Sequence, residues 1–286
     1  AVAAAILMVG VANLTVAGLA WISAVVPYER RARSIGTFEL SWALSLCIGG
    51  PVIALLVQLF GWRGPLVALA IAATVTTVVV AVVVDADPPA TDRSAPSDGG
   101  RPATPGLPAS AWAPLLASAA VAAAGLGVFV VSGAWLSDRH GVPTAGLGAV
   151  VVAFGLVELA SNGSSAAFAD RLGKQRSMAL GVATLLVGLV GIGLSGSSVV
   201  LAVIGLTVFL AGFEFAFVTS LSLMSEAAPE ARGRALGVGN ALGTVARALA
   251  VFVSGQLYER IGMGAVVVLS AVAAAISLGL VLVSRR

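Results

Sequence analysis

Residues 1 to 27 carry no charged side chain, and eight further apolar runs of comparable length follow them. A helix needs roughly 20 apolar residues to cross a bilayer, because each residue rises about 1.5 Å through about 30 Å of hydrocarbon. Inside lipid every backbone N–H and C=O must be satisfied within the segment, so such runs are read as helices. The first run ends at Pro27, before Glu29, Arg30, Arg31 and Arg33. The second spans 35–60 and is closed by Gly61, Trp62 and Arg63; the third spans 65–84. Six more lie at 112–135, 145–168, 177–194, 199–223, 235–257 and 263–283. With 59% hydrophobic and only 10% charged residues, against about 25% charged in soluble chains, the predicted class is an all-α integral membrane protein with about nine transmembrane helices. Residues 1–27 are not a secretory signal, since they lack a basic start and run too long.

Between the third and fourth runs the composition changes. Residues 85–110 hold six of the twelve prolines, four Asp, two Arg and several Ser and Gly; such a stretch cannot bury a core and is expected to be a disordered cytoplasmic linker. The predicted organisation is therefore 1–84, then the linker, then a six-helix unit at 111–286. Internal repetition links the two blocks: Arg31, Arg33 and Gly36 recur as Arg232, Arg234 and Gly237 at an offset of 201, which also carries Gly61 onto Gly262. Repeats are common in transporters. If the halves are equivalent, three helices precede Ala1, and the chain is an N-terminally incomplete member of a twelve-helix class.

Charge sets the orientation. With the end of the first run in the cytoplasm, the cytoplasmic segments hold Arg30, Arg31, Arg33, Arg93, Arg101, Arg171, Lys174, Arg176, Arg232, Arg234, Arg285 and Arg286, whereas the outside receives Arg63, Arg139 and Arg260. This bias follows the positive-inside rule and places the C-terminus in the cytoplasm. Fifteen of the 16 basic residues are Arg, which with the Ala, Gly and Val excess points to a GC-rich bacterial genome and thus to a bacterial inner membrane. The bases flank apolar runs and do not form stripes with aromatics, so nucleic acid is not an expected partner. One Cys47 and one His140 cannot build a disulfide or a His/Cys metal cage; no metal and no cofactor are expected.

The loop Ala166-Ala167-Phe168-Ala169-Asp170-Arg171-Leu172-Gly173-Lys174-Gln175-Arg176 resembles the signature Gly-x-x-x-Asp-Arg-x-Gly-(Arg/Lys)-x-Arg of the major facilitator superfamily, with Ala166 at the leading Gly. Residues 27–36, followed by Gly49, Gly50, Pro51 and then Gly61, Trp62 and Arg63, are similar to the helix 4 to helix 6 region of bacterial drug and sugar efflux members. The antiporter signature of helix 5 is partial: Leu46 stands at its earlier Gly and Ala54-Leu55 at its later Gly pair. Ala3 and Ala4 lie where the family often has a basic residue. The resemblance covers the chain as helices 4 to 12. It implies a two-bundle fold and a monomer that moves a small molecule by alternating access, with proton-coupled efflux as the expected mode.

The signature loop has a physical role that does not depend on the family. Asp170 ends an apolar helix on the cytoplasmic side, where it can accept hydrogen bonds from a helix N-terminus or pair with Arg232 or Arg234. Arg171, Gly173, Lys174 and Arg176 complete this expected conformational latch; the plainer alternative is that its bases only obey topology.

Burying a charge in hydrocarbon costs at least about 2.5 kcal/mol, so each buried ionisable group implies a partner or a wet cavity. Glu39, Glu158, Glu214 and Arg247 are such groups. Counted from the cytoplasmic ends of their runs, the last three lie about 15, 14 and 18 Å deep and would meet near the midplane. Glu158, Ser161, Asn162 and Ser165 share one helical stripe, and Asn240, Thr244 and Arg247 another beside Gly239 and Gly243. The offset of 201 pairs Asn13 with Glu214 and Glu39 with Asn240. Asn13, Glu39, Glu158, Asn162, Glu214, Asn240 and Arg247 are thus the expected substrate and proton pathway; the alternative is that they are interhelical hydrogen-bond glue worth about 1 kcal/mol each. Trp42, Phe209, Phe213, Phe215 and Phe217 offer either an amphipathic wall or ordinary packing. An intramembrane enzyme fits poorly, since there is no Gly-x-Ser-x-Gly elbow and the acids sit on separate helices. A membrane sensor, or a fragment inactive by itself, stays open.

Overall fold

The computed structural model describes residues 41, 44–83 and 106–284, except the side chains of 83, 162–163, 165–170, 225, 229 and 232–233. The first apolar run, Asn13, Glu39, Trp42 and linker residues 85–105 lie outside these, as do the side chains of Asn162, Asp170 and Arg232. Every regular element among the described residues is helical.

A π-helical turn, Ser45–Gly49, leads into α1, Gly50–Phe60, and α2 is Arg63–Val83. Then follow α3, Trp112–His140; α4, Thr144–Leu172; α5, Lys174–Leu194; α6, Val199–Glu226; α7, Arg232–Arg260; and α8, Met263–Val283. Seven of them, α2 to α8, include a segment long and apolar enough to cross a membrane, and Ser45–Phe60 is a shorter apolar helix. The chain parts into two compact units: 1–45 with 56–100, and 46–55 with 101–286. In the described part of the first, Gly61 turns the chain with φ +69° and α2 is exposed along most of its length.

In the second unit, α3 packs on α6, α7 and α8, while α5 packs on α6 and α8 and α4 rests on α6. The core runs along α3, α5, α6 and α8, with Leu115, Val121, Met178, Leu185, Phe209 and Val266 fully buried. The α5–α6 seam is made of glycines. A Cβ at Gly188 would strike the backbone of Phe209, one at Gly212 the backbone of Leu185, and one at Gly181 that of Ala216. Gly181 and Gly188 are seven apart on α5, as are Gly205 and Gly212 on α6, and small residues at that period bring helix backbones together without a hydrophobic driving force.

Serines join the other seams. Ser270 Oγ donates to Ala124 O at 2.8 Å, Ser277 Oγ to Ala117 O at 2.8 Å, and Ser118 Oγ meets Ser220 Oγ at 2.8 Å. These bonds, each worth about 0.6 kcal/mol in a membrane, are interhelical glue supplied by residues outside the expected polar pathway. On α4, Gly148 and Val151 face Pro51 and Gly50 of α1, where a Cβ on Gly50 would overlap Val151. Gly50 and Pro51 of the Gly49-Gly50-Pro51 motif thus make a close helix crossing inside this unit, whereas nothing lies within 4 Å of where a Gly49 Cβ would stand.

Of the expected linker, the structure describes only the last five residues. These residues, 106–110, are ordered: a 3-10 turn begins at Ala109, and Leu107 packs against Ala111, Ala228, Ala231 and Ala235. A lone leucine among prolines has little weight in composition, but here it caps an alanine cluster. His140 is the last residue of α3, with its ring edge-on to Trp135 at 4.9 Å; Gly141, at φ +63°, ends the helix after it.

Candidate functional site

Three long helices carry the buried charges at mid-length. Glu158 is the fifteenth residue of α4 counted from Thr144, Glu214 the sixteenth of α6 from Val199, and Arg247 the sixteenth of α7 from Arg232. All three are half-buried. Because α6 packs on both α4 and α7, the groups are drawn toward one level.

The orientation of α6 decides what Glu214 meets. Gly212 is committed to α5 and Phe213 to Gly125 of α3, so the face left between them carries Glu214 and, one turn further, Phe217. Glu214 lies near enough to Glu158 for the two carboxyls to act on each other electrostatically. Arg247 does not form an ion pair with Glu214. Its guanidinium sits 5.8 Å from the centre of the Phe217 ring and donates to Thr244 Oγ1 at 3.3 Å. Phe217 in turn stacks on Phe213, 5.7 Å between centroids. The arrangement is therefore two carboxyls on α4 and α6, then an aromatic face, then a guanidinium on α7. A cation over an aromatic face gains about 0.5–2 kcal/mol depending on desolvation, which holds Arg247 against Phe217.

Other expected pathway residues are placed differently. Ser161 is buried, continuing the Glu158 stripe, but Asn240 and Thr244 are exposed, and Thr244 Oγ1 donates back to Asn240 O at 2.8 Å on its own helix. Gly239 approaches Met224 and Leu115 closely, whereas nothing lies within 4 Å of where a Gly243 Cβ would stand. The expected Gly239/Gly243 contact is thus a single-glycine contact, because the helices diverge over one turn. Phe209 and Phe213 are core, and Phe217 meets the Arg247 guanidinium.

At the end of the bundle where α4 meets α5, Gly173 adopts φ +82°, a conformation that favours glycine. It lets Lys174 start α5 pointing at the end of α6, where Lys174 Nζ pairs with Glu226. Gln175 Nε2 donates to Ser284 O at 3.2 Å and so ties in the end of α8. Arg171 and Arg176 are exposed; Arg234 is exposed and engaged. Among the described residues of the expected latch, Lys174 forms a clasp from the loop to α6. Glu226 was missed in sequence because a glutamate just past an apolar run reads as an ordinary solvated end.

The sequence profile of the Major Facilitator Superfamily matches residues 1–251 and again residues 115–286. The chain belongs to the Major Facilitator Superfamily. Together with the long apolar helices, this makes it a multi-pass membrane protein of a family of secondary transporters for small molecules. No curated protein matches the chain well enough to count as a relative. As a facilitator, it carries the Gly173-Lys174 loop of the superfamily signature in the turn from α4 to α5.

Proposed function

We propose that this facilitator couples outward movement of a small amphipathic compound to inward movement of protons, with Glu158 and Glu214 as the shared proton and substrate site. The observation that carries this reading is the row Glu158, Glu214, Phe217 and Arg247 at the middle of three membrane-length helices. Two like charges that close repel, so the pair is easiest to hold with a proton or a cationic passenger between its members. Proton and substrate then compete for one site. Phe217 supplies an apolar face for the passenger, and Arg247 restores charge balance when the acids are bare. Access alternates by rocking of one helical half against the other, gated at the cytoplasmic side by the Asp170-to-Arg176 loop with Arg232 and Arg234. The protein works as a monomer in a bacterial inner membrane with its C-terminus in the cytoplasm.

The test is transport by the reconstituted protein in vesicles under an imposed pH gradient, against a panel of cationic and neutral cargoes. Glu214→Gln abolishes pH-driven transport while the variant still elutes as a folded, monodisperse species. Wild-type rates in that variant would remove Glu214 from the mechanism.

A further inference from the structure

A cavity of about 680 Å³ opens at the end of the second unit opposite the Lys174–Glu226 clasp. It lies between the last turns of α3 and α7, the α5–α6 turn and the first turn of α8, far along the helices from Glu158 and Glu214. Its volume is within the range of small-molecule pockets, about 300–1,000 Å³.

The walls are aromatic and the charges are unbalanced. Trp135 is nearly fully buried, and the His140 ring stands edge-on to it at 88°, which fixes the plane of the indole. Tyr258 Oη donates to Asp138 Oδ2 at 2.9 Å, bridging α3 to α7 across the cavity and locking both side chains. Asp138, Arg139 and Glu259 are its charged lining residues, a net of −1. Asp138 keeps acceptor capacity beyond the tyrosine bond, since an ionised carboxylate has about four lone-pair sites. Met263 adds a polarisable floor. An oriented indole, a phenol and a surplus carboxylate in one concave site suit an organic cation with an apolar body, held by cation–π attraction and charge.

We propose that this cavity is a second, peripheral binding site for amphipathic organic cations, separate from the mid-membrane carboxylates. It stands whether or not the Glu158–Glu214 pair carries protons, because it concerns binding and not coupling. The experiment is equilibrium binding of radiolabelled tetraphenylphosphonium to the detergent-solubilised full chain. Glu259→Gln weakens binding at this site about fivefold, the size of one exposed charge contact, and Arg139→Gln tightens it by a similar factor. Glu259→Asp restores wild-type affinity. The opposite signs at Glu259 and Arg139 cannot come from misfolding, which weakens binding in both. Equal affinity in wild type, Glu259→Gln and Arg139→Gln overturns the proposal, as does loss of all saturable binding in Glu214→Gln alone.

Discussion

Glu158, Glu214 and Arg247 stand out in sequence because a charge within an apolar run has no cheap surroundings in lipid. What each would meet was not legible. Arg247 lies over Phe217, and nothing in the spacing of four phenylalanines on one helix distinguishes the ring that faces a cation from the two, Phe209 and Phe213, that fill the core. The same holds for glycine. Thirty-four glycines are scattered through the chain, yet Gly188 touches the Phe209 backbone while Gly193, five residues along α5, has open space where its Cβ would be. Gly188→Ala is therefore expected to destabilise the protein by about 1–3 kcal/mol, since backbone cannot yield as a side-chain tip can. Gly193→Ala should fall within about 0.5 kcal/mol of wild type. Thermal unfolding of the two variants in the same micelles checks the contrast.

Helices were legible one by one, and their ends were not. The runs at 112–135, 145–168 and 235–257 became helices Trp112–His140, Thr144–Leu172 and Arg232–Arg260. An apolar ruler stops where hydrocarbon stops, but a helix continues into water as long as Asp138, Arg139 or Glu259 can be solvated on its surface. Those extra turns build both the clasp and the far cavity. In the clasp, Lys174 and Glu226 are partly exposed, 30% and 55%, so the pair contributes at most about 1 kcal/mol and weakens with salt. A contact of that strength suits a gate better than a staple. Under the proposed gating role, Glu226→Lys slows transport and the exchange Lys174→Glu with Glu226→Lys recovers part of the rate. A double-mutant cycle on initial transport rates reads the coupling, and strict additivity of the two single changes would assign the pair no gating role.

At the scale of the molecule, the expected inside-to-outside order puts the Lys174 end of the second unit in the cytoplasm. Cysteine labelling tests this directly once Cys47 is replaced by Ala. Ser197→Cys in the exposed α5–α6 turn should react with a membrane-impermeant maleimide in intact cells, and Arg176→Cys only after permeabilisation; the reverse pattern would invert the topology. The offset of 201 has one structural echo among the described residues: Gly61 and Gly262 both adopt positive φ at a turn between consecutive helices. By itself the sequence determined that this chain is helical, lies in a membrane and belongs with the facilitators, because bilayer thickness, hydration of charge and the motif loop act on residues near one another in the chain. Only the tertiary structure decided that Glu158 comes within electrostatic reach of Glu214, that Phe217 stands before Arg247, that Glu226 receives Lys174 and that Trp135, Asp138 and Tyr258 line an open cleft. Each of those depends on the rotation of one helix about its axis relative to its neighbours. That rotation is set by glycine seams and serine bonds between residues tens to more than a hundred positions apart, which no local pattern encodes.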